Sequence, residues 1–253
     1  MKLHEMTWPE VKQAQRDKTL VVAPIAACEQ HSLHLPTFTD SLICGALAER
    51  MEAQLPQSVL LLPVLWLGAS DHHLPFGATL SARLSTHTQM LCDLLTPLLH
   101  DGFWRFLVLN GHGGNLDSFR SALRRLQPDH PKALLTAASY WELAAPEIAA
   151  ICEGPRKSVG HACEVETALM LHLHPELVRK IDVSDAPDIA PEALRGLYIA
   201  KDYSQRSAHG AAGFPRFASP QNGKRLLEII GKRIYEVAAC LLEQPRPLPE
   251  TVR

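Results

Sequence analysis

Residues 105–115 read Arg105-Phe106-Leu107-Val108-Leu109-Asn110-Gly111-His112-Gly113-Gly114-Asn115, and an amphipathic segment with three arginines, Asp117 to Leu126, follows at once. Arg105 to Leu109 is a short apolar run of the kind that forms a buried strand. The glycines after it allow a tight turn and a close approach of backbone to a ligand. The whole is a strand–turn–helix unit with a histidine at its turn. Working outward, Thr19 to Ile25, Ser58 to Val64 and Ala133 to Ser139 have the same strand character. Between and after them, Ser41 to Leu55, Thr86 to His100, Ala162 to Leu173 and Gly223 to Leu242 carry apolar residues at helical spacing, with Pro97 expected to kink or split the second. Alternating strands and helices predict an α/β fold, a mainly parallel central sheet with helices on both faces. In such sheets, sites gather beyond the carboxyl ends of strands, and the Glu29 and Asn110 segments lie at such ends. The Pro/Gly-rich stretch from Asp182 to Pro220 reads as a long loop or lid rather than a boundary. The expectation is therefore one domain over residues 1–253.

Composition narrows the function classes. The chain has 253 residues, 46% hydrophobic and 21% charged, which suits a globular domain with a full core. The net charge of −2 gives no argument for nucleic acid or an anionic membrane surface as partner. The longest apolar run, Val59 to Ala69, holds 11 residues and is interrupted by Pro63, too short to cross a bilayer. The N-terminus lacks an apolar signal segment, and the six cysteines form no CxxC pair. Reduced thiols in a cytoplasmic protein are expected.

Three segments group side chains able to bind a metal. They are Glu29-Gln30-His31-Ser32-Leu33-His34 with Asp40 close behind, the His112 turn, and His161-Ala162-Cys163-Glu164-Val165-Glu166. Carboxylates and imidazoles together suit a hard or borderline divalent ion, so a metal-dependent hydrolase is the expected class. Glu29 and His31 are two apart and point to one side of an extended segment. Asp40 opens a helix, where the N-terminal dipole favours an anion. His34 reads as a partner that orients a ligand. In the third segment His161 and Glu164 are three apart and would share a helix face, whereas His161 and Glu166 would not. That constraint lapses if His161 precedes the helix, so spacing leaves Glu164 and Glu166 both open. The Gly-rich turn matches neither GxxxxGK[ST] nor GxGxxG, which argues against a phosphate cradle.

Four blocks in order carry a specific resemblance: Glu29-Gln30-His31-x-x-His34-Leu35-Pro36-x-x-Thr39-Asp40, Ser70-Asp71-His72-His73-Leu74-x-Phe76 with Thr79, Asn110 to Asn115, and His161-Ala162-x-x-x-Glu166-Thr167. The chain resembles the creatininase family of metal-dependent amidohydrolases. The resemblance implies a three-layer αβα sandwich and a homo-oligomer, often a hexamer. It also implies two divalent ions, zinc first with manganese or iron as alternatives. Glu29, Asp40 and His112 would hold one ion. His31, Asp40 and Glu166 would hold the other, with Asp40 bridging and His161 as acid/base. His34, His73, Gly113, Gly114, Asn115 and Glu164 are expected to support these ligands or the substrate.

The sequence also departs from the family pattern. Gly114 stands where a His-x-Glu pair would place a carboxylate, Ser32-Leu33 replaces Gly-Pro, and Gly77-Ala78 replaces Pro-Gly. The residues just before His161, Lys157-Ser158-Val159-Gly160, include no tryptophan. A small amide other than creatinine is the expected substrate. Two cations would lower the pKa of a shared water and make hydroxide available for attack on an amide carbonyl, with the Gly113-Gly114 loop near the oxyanion. Trp141 is a candidate wall of the pocket. A peptide, lactone or other ester substrate for the same kind of site is the alternative. Cys28 and Cys163 lie outside any nucleophile turn and read as packing residues.

Overall fold

The fold is a computed structural model that describes residues 1–186 and 197–247. Four strands, β1 (Leu20–Ile25), β2 (Val59–Leu61), β3 (Arg105–Asn110) and β4 (Leu134–Ser139), form a wholly parallel sheet in the order β2-β1-β3-β4. The helices are α1 (Trp8–Gln13), α2 (Thr39–Glu52), α3 (Leu84–His100), α4 (Leu116–Leu126), α5 (Tyr140–Leu143), α6 (Ala145–Ile151), α7 (Glu164–Leu173) and α8 (Pro220–Glu243). None of the helices in the described residues is long and apolar enough to cross a membrane.

Side-chain alternation along the strands builds two cores. Leu20 and Val22 of β1, with Leu107 and Leu109 of β3, pack in one core with Ile43, Leu47 and Met51 of α2, Val165 and Leu169 of α7, and Leu226, Ile230 and Ile234 of α8. Val21, Ala23 and Ile25, with Phe106 and Val108, pack in the other with Leu91, Leu95 and Leu99 of α3 and Phe119, Ala122 and Leu126 of α4. The result is a helix–sheet–helix sandwich. Truncating a strand leucine such as Leu107 to alanine would cost about 2–5 kcal/mol, because rigid elements on both sides cannot collapse into the hole.

The register positions the site. Ile25 pairs with Asn110 and Asn110 with Ser139, so β1, β3 and β4 end level with one another. The loops leaving those three strands therefore share one rim. α3 is not split at Pro97 but continues through it from Leu84 to His100. The proline stands in the last turn, where only the carbonyl of Asp93 loses its donor. Of the irregular stretch from Asp182 to Pro220, residues 187–196 lie outside the described residues. The part beyond them carries short turns at Tyr203–Gln205 and Pro215–Phe217. It rejoins the body through bridges between Ala212 and His161 and between Gly213 and Ala186.

Candidate metal centre

The rim above the sheet collects one group of side chains. Glu29 and His31 come from the loop after β1, and His112 from the turn after β3. Asp40 comes from the first turn of α2, and Glu166 from the first turn of α7. Two residues beside the cluster, Ser32 (φ 57°) and Ala162 (φ 47°), adopt the left-handed conformation without being glycine. Such positions cost about 1–3 kcal/mol each and persist only where surrounding contacts over-determine them. Ala162 has a further effect: it turns the chain between His161 and the start of α7 at Glu164, so His161 is not on the helix.

Ligand-capable atoms converge in three sets, each within 4.8 Å: Glu29, Asp40 and His112; His31, Asp40 and Glu166; and Glu29, His31 and His161. Asp40 belongs to the first two. Its Oδ2 lies 3.1 Å from His112 Nδ1 and its Oδ1 lies 3.0 Å from His31 Nε2. Glu29 Oε1 lies 3.3 Å from His112 Nδ1. His31 Nε2 lies 4.0 Å from Glu166 Oε1.

Hydrogen bonds fix which ring nitrogen faces this cluster. A carbonyl only accepts, so a ring nitrogen bonded to one carries the proton. His31 Nδ1 donates to Glu29 O (3.3 Å), His112 Nε2 to Ala69 O (3.1 Å) and His161 Nε2 to Gln30 O (2.8 Å). Gln30 Nε2 also lies 3.0 Å from His161 Nε2. Its two protons are taken by His73 Nδ1 (2.7 Å) and Gly210 O (3.0 Å), while its Oε1 accepts from Ser32 N. The neutral rings then turn lone pairs at His31 Nε2, His112 Nδ1 and His161 Nδ1 toward carboxylate oxygens. Both oxygens of Glu29, Oδ2 of Asp40 and Nε2 of His31 are buried without a hydrogen bond. Lone pairs facing carboxylates in a buried site repel unless a cation lies between them, so the residues present fit bound metal ions.

The electrostatics agree. Burial would lower the pKa of His31, but Asp40, then Glu166 and Glu29, outweigh it and raise the value to about 9. His112 is likewise raised against burial by Glu29 and Asp40. Burial raises Asp40, yet His31 and His112 overcome it and hold the carboxyl below its usual range. Burial lifts Glu166 to about 7, with His31 opposing the shift. Protons on these groups stand in for the positive charge the cluster demands. His161 differs: burial and then His31 push it well below the ordinary histidine value, so it stays neutral with Nδ1 as acceptor.

The remaining expected residues separate. His73 lies against the cluster, with Nε2 3.2 Å from Glu29 Oε1. His34 points away from the cavity: its Nε2 pairs with Thr167 Oγ1 (2.8 Å), and burial then His31 lower its pKa to about 4. Glu164 accepts from the backbone N–H groups of Glu153 (2.7 Å) and Gly154 (2.9 Å), and so braces the loop before His161. Asn115 ties three loops: Oδ1 accepts from Ala69 N and Nδ2 donates to Ala26 O and Asn110 Oδ1. Gly113 lines the cavity, and a Cβ there would meet open space. At Gly114 a Cβ would fall 2.1 Å from Ala69 O and 2.5 Å from His112 Nε2, so no carboxylate side chain fits at that position.

The cavity over the cluster measures about 220 Å³ and is lined also by His72, Trp141, Arg156, Val159, Tyr203 and Arg206. Sequence reasoning named Trp141 but missed Gln30, His72, Tyr203 and the two arginines as site residues. His72 and Gln30 stand inside the quoted blocks and could have been taken with their neighbours. Tyr203 and Arg206 sit in an irregular segment with no periodicity to mark them.

Comparisons with known proteins identify the family and the fold. The family model described as creatinine amidohydrolase matches residues 4–238. A mycofactocin precursor peptide peptidase of Mycobacterium ulcerans is 29% identical, covering 92% of this chain and 86% of the relative. A creatinine amidohydrolase of Pseudomonas putida is 26% identical over 89% of this chain and 91% of the relative. A solved creatininase superposes with a TM-score of 0.82 at 25% identity, covering 96% of this chain and 98% of that one. Solved creatininases of the same fold include a Zn–Zn form and a manganese form. The family match spans nearly the whole chain and the described fold is the creatininase fold, so the protein belongs to the creatininase family of metal-dependent amidohydrolases.

Proposed function

We propose that this protein hydrolyses a C–N bond of a small amide, other than an ordinary peptide bond and other than creatinine, using two divalent ions, zinc first among them. Glu29, Asp40 and His112 hold one ion, and His31, Asp40 and Glu166 the other. The reading treats residues 1–253 as one creatininase-like unit. The observation that carries it is the convergence of inward-facing imidazole lone pairs on buried carboxylate oxygens that no hydrogen bond satisfies. Bound there, two cations supply Lewis acidity and activate a water.

The chain's own residues do the rest. His161 takes a proton at Nδ1, because Nε2 is committed to the Gln30 carbonyl. It then returns that proton to the leaving nitrogen, so general base and general acid are one atom. Gln30 holds both His73 and the Gly210 carbonyl and keeps the ring planes fixed. Trp141, Val159 and Tyr203 wall the cavity and exclude water. The open space at Gly113 lets the substrate carbonyl approach the backbone.

A peptide substrate is the second reading, because relatives at 26–29% identity are named peptidases. A cavity of about 220 Å³ favours a compact molecule over an extended chain. The test is turnover of a panel of small amides, cyclic amides, peptides and lactones, with elemental analysis on the same sample. Protein carrying about two zinc ions and cleaving none of the small amides would overturn the proposal.

A further inference from the structure

The cavity has a cationic side that the metal chemistry does not use. Arg156 comes from the loop before His161, and Arg206 from the irregular segment that returns to pair with it; both line the cavity. Arg156 is held by Nε to Ser158 Oγ (3.4 Å) and Nη2 to Val159 O (3.3 Å), on the loop that Glu164 braces. Arg206 Nη2 donates to Ile199 O (3.4 Å), and its guanidinium lies 5.1 Å from the centre of the Tyr203 ring. Tyr203 in turn covers His73 at 4.2 Å and His161 at 4.7 Å between ring centres. Arg206 therefore stands one aromatic ring away from the acid/base histidine.

The segment bearing Tyr203 and Arg206 is seated by Gly210. This residue has φ +74°, and a Cβ on it would fall 2.1 Å from Gln30 Oε1. The same Gln30 amide that orders the histidines thus fixes the distance of Arg206 from them.

The only carboxylates lining the cavity among the described residues are Glu29, Asp40 and Glu166, the three assigned to metal. Two divalent ions would offset their negative charge, and the Arg206 guanidinium adds a positive field on the same wall. A neutral amide gains nothing from that field, whereas an anion gains charge-assisted, planar hydrogen bonds that guanidinium is shaped to give.

We propose that the substrate carries a carboxylate, and that Arg206 with Arg156 binds it while the amide carbon lies over the metal cluster. This rests on the amidohydrolase reading for the identity of the reacting bond, but not for anion recognition itself. The two arginines are specificity residues: they select among amides and take no part in bond cleavage.

The test compares N-acetylglycine with N-ethylacetamide, which lacks the carboxylate, by calorimetric titration of zinc-loaded protein and by turnover. Wild-type protein should favour N-acetylglycine by about 10–100-fold, as charge-assisted bonds to a single carboxylate typically give. Arg206→Gln and Arg156→Gln should each move the ratio of the two affinities toward one, and Arg206→Lys should restore part of it. Zinc content should stay the same throughout. In kinetics the loss should appear mainly in KM for N-acetylglycine. No preference in the wild type, including failure of both probes to bind, overturns the proposal, as does an equal loss for both probes in the variants. A binding preference without turnover of any amide counts against the amidohydrolase reading and leaves anion recognition standing.

Discussion

The floor of the site and the strap over it, residues 197–213, are built on different principles. The floor is made by loops leaving β1 and β3 and by the first turns of α2 and α7, and its side chains are buried: Glu29 is 1% exposed and His31 1%. Each floor histidine is oriented by a backbone carbonyl, so the rigid sheet beneath sets the geometry. The strap bears solvent-exposed side chains, with Tyr198 88% exposed, and meets the floor at Gln30 and His161. On the proposals above, the floor carries the chemistry and the strap selects the substrate.

The comparison can be broken most directly at the floor. Asp40→Ala removes the carboxylate shared by two ligand sets, and is expected to abolish activity and to lower zinc from about two ions per chain toward none. Elemental analysis that still finds two would sink the bridging role. His161→Ala is the next largest effect: turnover should fall by about 10²–10⁴-fold with zinc retained. If the same variant lost one ion, the set of Glu29, His31 and His161 would be a metal site and His161 a ligand.

Two carboxylates of α7 sharpen the boundary between ligand and brace. Glu166→Gln should leave roughly one zinc and little activity. Glu164→Gln should keep two ions but lose about 1–3 kcal/mol of stability, because an amide NH₂ would then face a backbone N–H where a carboxylate oxygen accepted. Denaturant midpoints and metal content on the same two proteins decide it. Exchanged phenotypes would reverse the assignment.

The smallest expected effect is on pH. His31 is raised to about 9 and Glu166 to about 7, so at neutral pH the metal-free cluster holds protons that a cation must displace. The sign follows: zinc affinity rises with pH until about 9 for His31, and Glu166 adds to the dependence only below about 7. The slope should not exceed about tenfold per pH unit for each proton released. Calorimetry in buffers of different ionisation enthalpy measures that release, and loading without it would contradict the electrostatics of the floor.

How much of this was legible in the sequence depended on whether the signal was local. The four strands were readable from their apolar runs, and their parallel sense from the helices between them, because side-chain period and crossover length are properties of short segments. The ends of α2, α7 and α8 fell within three residues of expectation for the same reason. Pro97 did not split α3, since a proline near a helix end costs one hydrogen bond and not the helix.

Which ring nitrogen faces the cluster was not legible. It depends on the carbonyls of Glu29, Gln30 and Ala69, and those lie where the sheet puts them. Spacing could not choose between Glu164 and Glu166, because the left-handed Ala162 breaks the helical phase between His161 and α7. Nor could it find Tyr203 or Arg206, whose place comes from one glycine fitting against a glutamine about 180 residues away. The sequence by itself determined the layered α/β architecture and the residue types of the candidate cluster, which are written in periodicity and residue chemistry. The tertiary structure alone decided which lone pairs converge and which cations overlook them, because those are distances between segments far apart in the chain.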